Sequence, residues 1–468
     1  MGEPFFVVPY AHAVENNVIF CSNCYNQIRV TYFKIDFGYN VTEGGQWMTD
    51  KNQKILDELK SKSILSMGGT EAVSVAYSVA YARQKSKGEL KKIQITVDSS
   101  IFKNGLNVII PGCEERGLDF AAALGYVCGR VEDRLQLLSH YGEEEVRQAK
   151  KLLAQGKVSI TIKDDCDKLY IETLIESGEN IVRVLILDFH LNVISEEIVT
   201  KIEDLQECTA KLDLNYIKNE GLGLEDFIGF VEQVDLSELE FIREGLKYNL
   251  ALAQCRDERS LTTCFESSLE HFGIGEDMIT YTQNLCMRAC EARIRGAKLP
   301  IMTAVGSANY GLAIYLAGYG VGSRLGASEE QILRAIALSN LMSLYVNSYV
   351  GSISAVCDCG FAVGIGTAVS TTYLLGGDYD AMERAVKNML GSVTGIICEG
   401  NRLKCAWKIG LSVAWAIKSA FLAMESGEFE SEGFLDNSLD RILENIAQIY
   451  NPLSNTINQT IVDIIMGK

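Results

Sequence analysis

Residues 353–375 read ISAVCDCGFAVGIGTAVSTTYLL, and this stretch constrains the fold more than any other. It is apolar or small all round a helix, with Asp358 as its one acid. A helix without a polar face has to be enclosed, by protein or by lipid. The stretch is long enough to cross a bilayer. Its Ser and Thr residues weaken that reading, and the segment after it carries Asp378 and Asp380 instead of the basic flank that sets a membrane topology. The expectation is a central helix enclosed by other helices, with no membrane.

The residues after about 223 supply such helices. SEEQILRAIALSNLMSLYVNS (328–348) opens on Ser328 and Gln331, a capping box, and keeps an apolar stripe. DYDAMERAVKNMLG (378–391) repeats the pattern, with Asp380 and Glu383 near its start and Gly391 at its end. Many Gly, Ala and Ser positions let helix backbones approach closely. Upstream, EAVSVAYSVAYARQK (71–85) has helical spacing, and helices are expected near 115–127, 143–155 and 196–211. Between them, 91–100, 106–112, 156–165, 168–177 and 180–194 are β-branched and alternating, as in a mainly antiparallel sheet. The fold class is therefore α+β: an N-terminal α/β region followed by a large, glycine-rich, all-α domain. The expected domains are an atypical extension over 1–47, an α+β domain over 48–222 and a helical domain over 223–468.

The formal charge of −18 excludes nucleic acid as a partner, because phosphate binding needs a cationic face. An anionic ligand would need a local site. Fourteen cysteines in a chain without a basic, secretory-type leader point to the reducing cytoplasm, where clustered thiols serve metals or catalysis. Single thiols such as Cys128, Cys208, Cys255, Cys264, Cys286 and Cys290 fit core packing. Cys21-Ser-Asn-Cys24 is an isolated C-x-x-C, a weak zinc or redox signal. Cys357, Cys359, Cys398 and Cys405 differ, for each falls at a helix start or in a loop where sulfurs can converge. Amide N–H groups at helix starts favour thiolates and anions.

Several ordered motifs carry a resemblance: GGTEAVSVAYSVAYAR (68–83), SSIFKNGLNVIIPG (99–112), GSANYG (306–311), SYVGSISAVCDCGFAVGIG (348–366), LLGGD (374–378) and GIICEGNRLKCAWKI (395–409). Together they resemble the L-cysteine desulfidase family, related to the alpha subunit of iron–sulfur L-serine dehydratases, from about Met48 onward. The resemblance implies a [4Fe–4S] cluster held by Cys357, Cys398 and Cys405, with Cys359 competing for the first place. It implies β-elimination from a small amino acid at an iron without a protein ligand, giving pyruvate and ammonia, with sulfide from cysteine or water from serine. Lys103 and Asn104 are then expected to hold the substrate carboxylate. Ser307 and Asn309 would bind substrate from a glycine-flanked turn, and Glu71 would pair with the substrate ammonium or with Lys103. A homo-oligomer is compatible with this reading.

The sequence departs from the family pattern at its N-terminal motif. Gly69 stands where the family carries its proposed catalytic cysteine, Tyr310 where a glutamine is usual, and Asn347 and Ser352 where basic residues are expected. Another group would serve as base, Cys113 in IPGC first and Glu71 next. Otherwise the substrate differs, or the chain is a catalytically divergent iron–sulfur or amino-acid-binding protein. A pyridoxal phosphate lyase would need a Schiff-base lysine and a phosphate cradle, and no lysine is marked by its context.

Overall fold

The computed structural model describes residues 49–163, 166, 169–206, 216–255, 257, 259–351, 355 and 357–467. Cys21, Cys24, Cys208 and Ser352 lie outside the described residues.

The N-terminal part contains α1 (Asp50–Lys62), β1 (Leu65–Met67), α2 (Thr70–Arg83), β2 (Leu90–Asp98), α3 (Ser99–Gly105), α4 (Leu118–Cys128), α5 (Glu143–Ala154), β3 (Val158–Lys163), β4 (Ile171–Ser177), β5 (Ile181–Ile186) and β6 (Val193–Val199). Strands β3-β2-β4-β5-β6 form one sheet. Its pairings are antiparallel except β2 with β3. α2 packs against α4 and against β4 and β5, so its small residues are buried almost all round. Asp98 ends β2 and starts α3: its carboxylate accepts from the N–H groups of Ser100 and Ile101, and also from Tyr170.

Three expected elements differ. Residues 106–112 form turns, with a single bridge between Ile109 and Arg116, because Pro111 lacks an N–H and Gly112 has a φ of +85°. Residues 180–194 are two strands rather than one, joined by a tight turn with Asp188 at φ +63° and Asn192 Nδ2 on the Leu187 carbonyl at 3.1 Å. The helix expected at 196–211 is instead β6 followed by a 3-10 turn at Ile202–Asp204. Here the helix-favouring acids are held by bases brought alongside, Glu197 by Arg183 on β5 and Glu196 by Lys85 just after α2.

The rest is helical: α6 (Tyr216–Asn219), α7 (Leu224–Gln233), α8 (Glu240–Ala253), α9 (Leu261–His271), α10 (Met278–Ile294), α11 (Ala308–Leu325), α12 (Glu329–Val350), α13 (Asp358–Leu374), α14 (Tyr379–Ser392), α15 (Lys404–Met424) and α16 (Leu439–Met466), with a short β7 (Pro300–Met302) pairing with β1. As the opening stretch demands, α13 is central, packed against α11, α12, α14 and α15. Phe361, Ala362, Val363, Ile365, Ala368 and Val369 on it are fully buried. α1 packs Ile55, Leu56 and Leu59 into this helical core, while α2 and α4 share a second core with the sheet. Among the described residues α15 alone is long and apolar enough to cross a membrane, and 56% of its most apolar window is buried in the protein.

Gly366 lies where α13 crosses α12, and a Cβ there would stand 2.5 Å from the Ser339 carbonyl oxygen. Because the obstacle is helix backbone, relief requires the helices to separate. Gly366→Ala is expected to cost about 1–3 kcal/mol, read as a lower denaturant midpoint with an unchanged m-value.

Candidate active site

Three chain segments deliver the thiols. Cys357 is the N-cap residue of α13, Cys398 lies in the loop after α14, and Cys405 is in the first turn of α15. The first two run side by side: Cys357 N–H donates to the Ile396 carbonyl at 2.5 Å, and Cys398 N–H to the Ala355 carbonyl at 2.8 Å. Cys405 Sγ donates to the Gly400 carbonyl at 3.3 Å.

The sulfurs feel one another. Hydrogen bonding with Cys359 and burial push the Cys357 thiol well up, although a bond with Cys398 pulls the other way. Cys398 is raised well by its bond with Cys357 and by burial, against the Lys103 ammonium. Burial and then Cys398 raise Cys405, against Lys408 and Arg293. Crowded, buried thiols resist ionising unless a cation is supplied, which is the chemistry of a metal–thiolate site. Among the described residues no three His, Cys, Asp or Glu side chains are grouped tightly enough for a single metal ion. Three cysteine thiols are the donor type that an iron–sulfur cluster takes, and in that respect the donor set fits such a group.

The sheet half reaches this site through α3. Lys103, about 2% exposed, donates from Nζ to the Cys398 carbonyl at 2.9 Å and to Asn458 Oδ1 at 2.7 Å. Asn458, on α16, donates in turn to Ser100 Oγ at 2.7 Å. Lys103 is thereby a clamp on the thiol loop. Asn104 donates to Glu71 Oε1 at 3.0 Å and stands with its Oδ1 3.9 Å from Cys398 Sγ. Gly400 allows this close approach: its φ is +90°, and a Cβ would fall 2.4 Å from the Lys103 carbonyl oxygen.

Asn309 is buried and accepts from Cys290 Sγ at 3.5 Å, while Ser307 is the N-cap residue of α11. Cys286 is a core thiol that donates to the Ala313 carbonyl. Cys113 lies outside the thiol group, on the wall of a cleft of about 720 Å³ lined also by Asn107, Arg116, Arg295, Asn401 and Arg402. A Cβ at Gly69, the N-cap of α2, would stand 2.8 Å from Val108 Cγ1 and 3.3 Å from Arg293 Nη2. Tyr310 Oη donates to Asn347 Oδ1 at 3.0 Å.

His190 is a feature that sequence reasoning passed over, because the histidines lie far in sequence from the cysteines. It is fully enclosed at the β5–β6 turn, its carbonyl accepting from Ser74 Oγ at 2.5 Å. Neither ring nitrogen has a partner among the described residues. Burial lowers its pKa to about 4, against the field of Glu71. The neighbouring Phe189 ring occupies the space beside Gly306, where a Cβ would be 2.2 Å away, so this turn abuts the GSANYG segment.

Buried thiols gather where the helical core meets the sheet half, and the chain matches a dehydratase-type family of the lyase class. The sequence profile of the serine dehydratase alpha chain family matches residues 132–463, and the chain belongs to that family. It is similar to a UPF0597 protein of Caldanaerobacter subterraneus subsp. tengcongensis, 34% identical over 417 residues that cover 88% of this chain and 98% of the relative. A UPF0597 protein of Clostridium tetani is 32% identical over 419 residues, with the same coverage of 88% and 98%. One from Bacteroides thetaiotaomicron is 31% identical over 431 residues, covering 89% and 98%.

The buried imidazole makes stability pH-dependent. Its folded pKa of about 4 lies below the ordinary 6.5, so between those values the unfolded chain binds a proton that the folded one does not. That contribution is complete above pH 6.5 and is lost as the pH falls toward 4. In denaturant titrations at neutral and acid pH, His190→Phe should lose less stability on acidification than the parent protein.

Proposed function

We propose that this protein is an iron–sulfur-dependent lyase that removes the β-substituent of a small L-amino acid to leave pyruvate and ammonia. Cysteine would release sulfide in addition, and serine would release water. The observation that carries the reading is the convergence of Cys357, Cys398 and Cys405 beside the Asn104–Glu71 pair. Those three thiolates would hold a [4Fe–4S] cluster whose remaining iron supplies a Lewis acid for the leaving group. Cys359, in contact with Cys357, is the alternative first ligand. Such thiols call for a reducing, cytoplasmic setting.

The chain's own residues would supply position and proton transfer. Glu71, in the first turn of α2, is the candidate acceptor for the Cα proton: Asn104 orients its Oε1, and Asn104 also stands beside Cys398. Cys113, on the cleft wall, is the second candidate. Asn309 and Ser307 would line the substrate from the start of α11. Pre-set hydrogen bonds among these groups spare reorganisation when the proton moves.

One observation favours a second reading, an amino-acid binder without turnover: the space beside Gly69 is taken by Val108 and Arg293, leaving no side chain there to accept a proton. A single assay separates the two. Anaerobically reconstituted protein should be brown, with about four irons per chain, and should release pyruvate and ammonia from L-serine, L-cysteine or L-threonine. Glu71→Gln should lower kcat by roughly 100-fold or more at unchanged iron content, and Cys113→Ser should leave turnover within a few-fold. Colourless, iron-free protein after reconstitution would sink the cluster reading, and iron-loaded protein that binds but does not turn over would leave the binder.

A further inference from the structure

Two arginines on α10 and one at its C-cap meet different fates. Arg288 is paired with Glu266 at 2.8 Å, and Arg295 with Glu291 at 2.9 Å. Arg293, on the face toward the thiols, is only 4% exposed, and its one protein hydrogen bond among the described residues is from Nη1 to Asn401 Oδ1 at 2.6 Å. Its buried Nε has no partner among the described residues, as is also true of Arg288 Nε. A guanidinium in that setting ordinarily has a carboxylate, because an unpaired buried charge is costly.

The surroundings narrow what the missing partner is. Arg293 Nη2 lies 3.3 Å from the point where a Cβ on Gly69 would be, so the guanidinium faces the N-terminus of α2, a 14-residue helix. Free N–H groups of that first turn and the helix dipole favour an anion at the same spot. Arg293 also lowers the Cys290 and Cys405 thiols, which puts it within electrostatic reach of the thiol group. Its partner Asn401 lines the cleft, with Arg116 and Arg402 nearby to draw an anion inward.

We propose that Arg293 is the carboxylate-binding residue of this site, its guanidinium taking the α-carboxylate of an amino acid against the N-terminus of α2. The proposal rests on the reading of the ligand as an amino acid. It assigns to Arg293 the part that the sequence assigned to Lys103, whose ammonium is engaged with the Cys398 carbonyl and Asn458. A planar, two-pronged donor suits a carboxylate better than a point ammonium does. In this arrangement Arg293 positions the substrate, and proton transfer stays with Glu71.

The test uses the full-length, anaerobically reconstituted protein and two probes that cannot eliminate: L-alanine and L-alaninamide, in which the carboxylate is neutral. Calorimetry should show L-alanine binding more tightly than the amide by roughly 10- to 100-fold. Arg293→Gln should erase that preference while keeping iron content and visible spectrum, and Arg293→Lys should restore part of it. With a reactive substrate, Arg293→Gln should raise KM more than it lowers kcat. Retained preference in Arg293→Gln overturns the proposal, as does loss of iron, which would mean that Arg293 serves the thiolates. Parent protein that binds neither probe overturns the proposal and the amino-acid reading together. Parent protein that shows the preference but makes no pyruvate removes only the elimination.

Discussion

The buried ammonium of Lys103 joins the two halves of the site. It reaches 295 positions along the chain to the Cys398 carbonyl and also grips Asn458 on the last helix. Both acceptors are neutral, so the charge is satisfied by dipoles alone, and each lost bond would leave a desolvated cation. That penalty presses the thiol loop against α3. Gly400 makes the approach possible, and Asn104, the next residue on α3, is then set between Glu71 and Cys398 Sγ. The placement of the acid beside the thiols thus follows from one clamp and its glycine.

Electrostatics run opposite to the surface. The chain carries a formal charge of −18, yet two buried cations flank the thiols, Lys103 lowering Cys398 and Arg293 lowering Cys405. An acidic exterior repels anions from most of the surface, while the neighbourhood of the thiols is cationic. The basic wall of the cleft, Arg116 and Arg402, continues that field outward.

The architecture was legible where pattern and environment agree. The all-round apolar stretch at 353–375 called for enclosure, and α13 is enclosed by other helices, while alternation at 171–177 marked a strand with one face in the core. It failed where neighbours in space overrode local preference. Glu196 and Glu197 read as helix formers, but each meets a base brought alongside by the fold. Val108 and Ile110 look like strand residues and are buried in turns, because Pro111 and Gly112 break the ladder. Within the site, the cysteines were legible from their place at helix starts and from the family resemblance. Arg293 and His190 were not. Arg293 sits among other charged residues in MRACEARIRG and His190 far from the cysteines, so neither stands out by pattern, and the unpartnered Arg293 Nε and His190 ring nitrogens show only in the packing of the described residues. Such a lack is a property of packing.

The same logic bears on how the departures from the family pattern hold together. Tyr310 and Asn347, where the resemblance leads to a glutamine and a basic residue, hydrogen-bond to each other across α11 and α12, so the two positions are coupled. Gly69 is coupled in a similar way to Arg293 and Val108: any side chain there must displace the valine and meet the guanidinium. A small residue at 69 is therefore what allows a cation to lie against the start of α2. With the cation in place, the carboxylate of Glu71 two residues on and the thiols on the far side share one charged neighbourhood. The chemistry of position 69 is then a matter of what its absent side chain makes room for.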